Sequence, residues 1–165
     1  MDPSRTVEAD VIRALEATGA PYEAIEIDPT LADTADFCAH YGYDLAASGN
    51  CILVASRDDP PVVAACVVLA TTRLDVNKRV RKLLGVRKLS FAPAELTREV
   101  TGMEIGGVTP FALPSDVPLY VDARIRDLDR VIVGGGSRHL KLLVSPDALA
   151  AVGGEFVTDL AVPQG

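Results

Sequence analysis

The sequence predicts an α/β (α+β) fold, a single compact domain in which a mixed, curled β-sheet is flanked by about four helices. Three observations carry this expectation. Two continuously apolar, β-branched runs, Cys51 to Ser56 and Val62 to Ala70, meet across the polar turn Arg57 to Pro61 and read as a hairpin whose strands are covered on both faces. Several amphipathic segments with helical periodicity lie between strand-like ones, without any low-complexity tract. The 165 residues suit one domain, and 48% apolar with 24% charged residues is an ordinary globular balance.

The elements follow in order. Residues 6–18 place Val7, Val11, Ile12 and Leu15 on one helical face, and Gly19 supplies the left-handed residue that ends such a helix. Tyr22 to Asp28 alternates like a half-buried strand, and residues 34–42 read as a short helix capped by Asp33 or Thr34 and stopped by Gly42. The hairpin comes next, at the centre of the sheet. Residues 76–84 form an amphipathic helix whose Val76, Val80, Leu83 and Leu84 face inward. A short strand at Leu89 to Phe91 precedes a helix that starts at Pro93 and ends on Gly102. Residues 103–125 carry too many glycines and prolines for a helix and read as loop. Strands at Pro118 to Asp122, Arg130 to Gly135, Leu140 to Val144 and Gly154 to Leu160 complete the chain, with a small helix at residues 145–149 capped by Ser145.

Charge and composition exclude several classes. The net charge of −7 argues against a generally basic nucleic-acid binder, yet residues 73–88 hold seven basic side chains against one acid, so this segment is +6 and the remainder −13. The run reads either as a solvated helix face or as a patch for phosphates. No apolar stretch has membrane-spanning length and the first residues lack a signal design, so a cytoplasmic protein without membrane contact is expected. Cys38, Cys51 and Cys66 form no CxxC pair, and the two histidines have no metal-ligand spacing, so neither a metal nor a disulfide is expected. No phosphate-binding loop, dinucleotide fingerprint or GxSxG elbow is present.

Three glycine-bearing pieces remain. Ser48 to Cys51, Gly106 to Pro110 and Gly134 to Arg138 each stand at a strand end, where backbone can approach a ligand and offer N–H donors. Each alone is a tight turn; together they can line one pocket.

The order of these pieces resembles the YbaK/EbsC family of aminoacyl-tRNA deacylases, free-standing relatives of the editing domain inserted in bacterial prolyl-tRNA synthetases. The carriers are TADFC (34–38), NCILVAS (50–56), RLDVNKRVRKLLG (73–85), VTGMEIGGVTPFALP (100–114) and RVIVGGGSRHLKLLVSPDAL (130–149), so the resemblance runs from about Tyr22 to Leu160. It implies the YbaK-like fold and hydrolysis, without metal or other cofactor, of the ester that joins a small wrong amino acid to tRNA. On this resemblance Asn50, Gly106 and Gly107 are the catalytic candidates, with backbone amides as donors for the oxygen that gains charge. Thr34, Phe37, Thr109, Pro110, Gly134, Gly135 and Ser137 are the pocket candidates, although Thr34 also reads as a helix cap, Phe37 as core and Pro110 as a turn former. Arg73, Lys78, Arg79 and Lys82 would meet the acceptor end of the tRNA, the protein working alone or beside a synthetase.

The family pattern has a lysine where this chain has Asn50, and some members have serine at Gly134. A neutral amide in place of a charged donor leaves two readings open, an active deacylase or a binding module of the same fold that holds aminoacyl-tRNA or an amino-acid-like ligand.

Overall fold

Helix α1 (Pro3–Glu16) inserts Val11 and Leu15, both fully buried, into the main core, and Gly19 at φ +73° turns the chain back toward β1 (Tyr22–Glu26). The computed structural model describes residues 3–164, with side chains from Thr6 onward. A single 3-10 turn, Pro29–Leu31, leads into α2 (Thr34–Tyr41), which ends where the Gly42 N–H donates to Cys38 O at φ +78°. Strands β2 (Gly49–Ser56) and β3 (Val63–Leu69) form the hairpin, antiparallel with Asn50 opposite Val68 and Ile52 opposite Cys66. After β4 (Thr72–Leu74) the basic segment begins as a π turn, Val76–Val80, capped by the Asp75 carboxylate accepting from the Lys78 N–H at 3.2 Å, and continues as α3 (Arg81–Leu84).

The second half holds β5 (Leu89–Phe91), α4 (Ala94–Thr101), β6 (Leu119–Asp122), β7 (Val131–Gly134), β8 (Leu140–Val144), α5 (Pro146–Ala151), β9 (Glu155–Val157) and β10 (Ala161–Pro163). Residues 103–118 contain no helix or strand, as their glycines and prolines predict. The helix at α5 lacks the expected side-chain cap. Among the described residues the buried Ser145 hydroxyl has no hydrogen-bond partner, and only the backbone of this position serves as the cap.

A five-stranded sheet has the order β5-β2-β3-β6-β9, antiparallel through β3 and parallel at β3-β6 and β6-β9, so the hairpin is interior as expected. A three-stranded antiparallel sheet, β1-β8-β7, is joined to it by a bridge between Ser48 and Ile132, which curls the two sheets into one wall. β10 pairs with β4 in a small third sheet.

The parity of the apolar strands explains the layers. On β3, Ala65 and Val67 face the core shared with α1, β7, β8 and α5, while Ala64, Cys66 and Val68 face a second core under Val76, Val80 and Leu160. Both faces are covered, which is why these strands are apolar without alternation. A third cluster packs Phe37 and Cys38 of α2 on Ile132 and Leu143, the outer face of the smaller sheet. This outer packing sets α2 beside the start of β2.

Asp122 closes the C-terminal end of the fold. Its carboxylate is 1% exposed and accepts from the Arg124 N–H at 2.9 Å, from Arg124 Nη1 at 2.8 Å and from the Ala161 N–H at 2.9 Å, tying β10 to the end of β6.

Candidate active site

Asn50 stands at the mouth of β2, facing the first turn of α2. The Thr34 hydroxyl donates to Asn50 Oδ1 at 2.6 Å, which occupies the amide's acceptor and leaves the Nδ2 donor with no protein partner among the described residues. Thr34 is thus the first residue of α2 and the orienting partner of Asn50, while the cap position itself belongs to Asp33.

A hollow of about 240 Å³ opens in front of Asn50, lined in part by Thr34, Cys51, Gly106, Gly134 and Lys141. Sites for drug-sized ligands run roughly 300–1,000 Å³, so this one suits a small group. The sequence's three glycine pieces do converge here: the first through Gly49, Asn50 and Cys51, the second through Gly106 and Val108, and the third through Gly134.

Gly107, Thr109, Pro110, Gly135 and Ser137 build the wall rather than line it. The Gly107 N–H, expected as an oxyanion donor, already donates to Glu104 O at 2.9 Å, and its carbonyl accepts from the Gly136 N–H at 2.6 Å. A Cβ on Gly107 would collide with the Ser137 backbone, and one on Gly134 with Val108 O, so both glycines permit close packing of two loops. Gly135 is buried with its N–H on Leu140 O, and the Ser137 hydroxyl donates to Glu8 on α1 while accepting from the His139 N–H. Thr109 and Pro110 are buried behind the hollow, the Thr109 N–H meeting Met103 Sδ at 3.4 Å. Phe37 is fully buried and stacked between Tyr41 and Tyr43, with ring centroids 5.1 and 5.2 Å away. Among the described residues, only Gly106 of the expected amide pair keeps an N–H without a partner.

Arg138 clasps the rim. Its Nε donates to Pro29 O at 3.1 Å and its Nη1 to Ile105 O at 3.2 Å and Asp33 at 3.3 Å, while its N–H meets Glu104 at 2.8 Å. The guanidinium occupies the space a Cβ on Gly106 would take, and Gly106 sits at φ +92°, so glycine is required there twice over.

Lys141 and Phe91 are among the lining residues that escaped the sequence reading. Lys141 is buried, and its Nζ lies 5.5 Å from the Phe37 ring centroid. The one available signal was a charge between Leu140 and Leu142, which in a lone strand reads as a solvated face. Phe91 is 55% exposed and forms part of the hollow. It also lines a neighbouring groove of about 520 Å³ with Arg73, Asn77 and Lys78.

The four basic candidates therefore divide. Arg73 and Lys78 line that groove; Lys82 is exposed outside it; Arg79 is half-buried with Nε donating to Thr158 O at 3.1 Å. The Cys51 thiol is held protonated because burial, with Cys66 beside it, pushes its pKa far up, so it is no nucleophile at neutral pH. Burial likewise pushes the Cys66 thiol up to about 12. Among the described residues no three His, Cys, Asp or Glu side chains are grouped to hold a metal, and no helix is long and apolar enough to cross a membrane.

Known proteins resemble this architecture and sequence. The chain is 32% identical over 94 residues to the uncharacterized protein YwhH of Bacillus subtilis, covering 57% of this chain and 59% of that one. It is 28% identical over 97 residues to EbsC of Enterococcus faecalis, provisionally named a Cys-tRNA(Pro)/Cys-tRNA(Cys) deacylase, covering 58% and 57%. The matched segments thus span under three-fifths of either relative. The fold matches, at TM-score 0.79 and 22% identity over 96% of this chain and 98% of the other, the crystal structure of a provisionally assigned trans-editing enzyme for prolyl-tRNA synthetase. Residues 28–152 match the aminoacyl-tRNA editing domain, and the chain belongs to that family.

Proposed function

We propose that the protein hydrolyses the ester of a mischarged aminoacyl-tRNA in trans, releasing a small wrong amino acid from the acceptor end, alone or beside a synthetase. The observation that carries this reading is the Thr34–Asn50 pair, which holds an unpartnered amide donor in a hollow of small-group size. An activated ester asks a site for position, for donors to the oxygen that gains charge, and for a held water. Asn50 Nδ2 and the Gly106 N–H are the donors. Water oxygen bonds to the carbonyl carbon, the bond to the ribose oxygen breaks, and that oxygen leaves as a hydroxyl with a proton that originated on the water.

The test is a panel of mischarged tRNAs, Cys-tRNA(Pro) among them, with ester loss followed against spontaneous hydrolysis. Faster deacylation of at least one member is expected. Binding without hydrolysis across the panel would overturn the proposal and favour a holding module instead.

The groove lined by Arg73, Lys78 and Phe91 is the approach for the RNA end. Replacing Lys78 with glutamate is expected to weaken tRNA binding and lower the salt slope by about one phosphate contact, whereas Arg79→Glu, whose side chain is engaged with Thr158, changes that slope less. Phe91→Ala is expected to cost about 1–3 kcal/mol of binding if a base stacks on it. Fluorescence titration of tRNA at several salt concentrations reads both, and equal slopes for all three proteins would remove this path.

A further inference from the structure

Lys141 is a buried cation that the hydrolytic scheme above does not use. It lies in β8 opposite Gly134 of β7 and Ile25 of β1. Leu140 and Leu142 on either side point into the main core, so Lys141 takes the other face, beneath α2. It is 7% exposed, and among the described residues it makes no hydrogen bond and no ion pair. The carboxylate of Asp33, at the head of α2, is paired with Arg138 instead.

An ammonium withdrawn from water without an anion is unfavourable, and the Phe37 ring face offsets only part of that cost. Buried titratable groups without a partner, facing a cleft, cluster at functional sites. The opening available to Lys141 is the hollow, which it lines together with Asn50, Gly106 and Gly134.

We propose that Lys141 is a catalytic residue of this site, its ammonium meeting the ester carbonyl oxygen as that oxygen gains charge, alongside the Asn50 amide. The inference rests on the deacylase reading and adds to it the group that carries full positive charge. As water adds to the carbonyl carbon, the C=O π pair moves onto oxygen and the oxyanion is held by a Lys141 N–H. When that pair re-forms the C=O bond, the ribose oxygen is expelled and takes up the proton given by the attacking water. Lys141 begins and ends protonated.

The ammonium, not the free amine, does this work, which makes the pH profile diagnostic. Burial holds the Lys141 pKa below the usual lysine value; nearby Arg138 pushes the same way, against Cys38 and Asp33. These groups, with the protonated Cys51 thiol across the hollow, are the titratable and charged neighbours from α2, the β7–β8 turn and β2; on β1 the partner is Ile25, which does not titrate. Activity is therefore full below the lowered pKa and falls as pH rises through it.

The experiment measures kcat and KM against pH for wild type, Lys141→Met and Lys141→Arg on a mischarged tRNA that wild type hydrolyses, with spontaneous hydrolysis subtracted. Thermal melts confirm folding, and Lys141→Gln replaces the methionine variant if that one does not fold. Lys141→Met is expected to lower kcat about 100-fold with KM little changed, the usual scale for one oxyanion donor. Lys141→Arg is expected to keep most of the neutral-pH activity and to lose the alkaline fall, because a guanidinium stays protonated. An unchanged kcat in Lys141→Met, a raised KM alone, or an alkaline limb that persists in Lys141→Arg overturns the role of Lys141 while leaving deacylation standing. Wild type that hydrolyses no tRNA overturns the deacylase reading, and this inference with it.

Discussion

Asn50→Ala is expected to lower kcat for deacylation by about 10²–10³-fold, the range for removing one preorganised donor from an oxyanion site. The large effect follows from orientation. Thr34 fixes the amide by taking its oxygen at 2.6 Å, so Nδ2 enters the reaction with no rearrangement to make. Thr34→Val is the matched test of that point. It keeps the shape of the side chain but frees the amide to rotate, and a smaller loss, about fivefold, is expected from the roughly 1 kcal/mol of one neutral hydrogen bond. Steady-state kinetics on a hydrolysed tRNA, with a melting curve as the folding control, reads both. Wild-type rates in Asn50→Ala would remove Asn50 from the chemistry and return the Thr34 contact to a structural role.

The second large effect concerns stability. Asp122→Ala is expected to cost about 3–5 kcal/mol, because it removes the buried partner of Arg124 and leaves the Arg124 and Ala161 N–H groups without their acceptor. Natural domains hold only about 5–15 kcal/mol in total, so this is a large fraction, equivalent to a drop in Tm of roughly 10 °C. The Arg124 side chain is 36% exposed and also reaches Asp159 and Ala161 O, which places the expected loss toward the lower end of that range. Urea unfolding measures it. The comparison variant is Arg13→Ala, which removes an exposed pair with Asp10 on α1 and is expected to leave the midpoint unchanged. Equal midpoints for the two variants would show that the Asp122 cluster does not hold β10 to the fold.

Much of the architecture was legible because it rests on local rules. The hairpin declared itself by two apolar runs around a polar turn, and two of the short helices by glycines at their ends, Gly42 and Gly102, both in the left-handed region. The missed strands, β4 and β10, are three residues each and exist only through each other. Thr72–Leu74 lay inside what reads as the lead-in to a basic helix, and Ala161–Pro163 ends on a proline that weakens any strand signal.

The candidate site was legible in part for the same reason. Asn50 and Gly134 stand at strand ends, Thr34 opens α2 and Gly106 lies in the loop between α4 and β6, and all four line one hollow. Gly107 and Ser137 share those motifs, yet hydrogen bonding commits them to the wall, a distinction that depends on which partner each group finds across the fold.

By itself the sequence determined the element order, the covered central strands and the position of the amide at the mouth of β2, since periodicity and turn chemistry act over a few neighbours. The tertiary structure alone decided that Lys141, placed as any strand lysine would be, is buried beneath α2 and lines, from another sheet, the same hollow as Asn50. A residue's solvent and partners come from chain segments far away in sequence, here α2 some hundred residues before β8, and no local pattern carries that information.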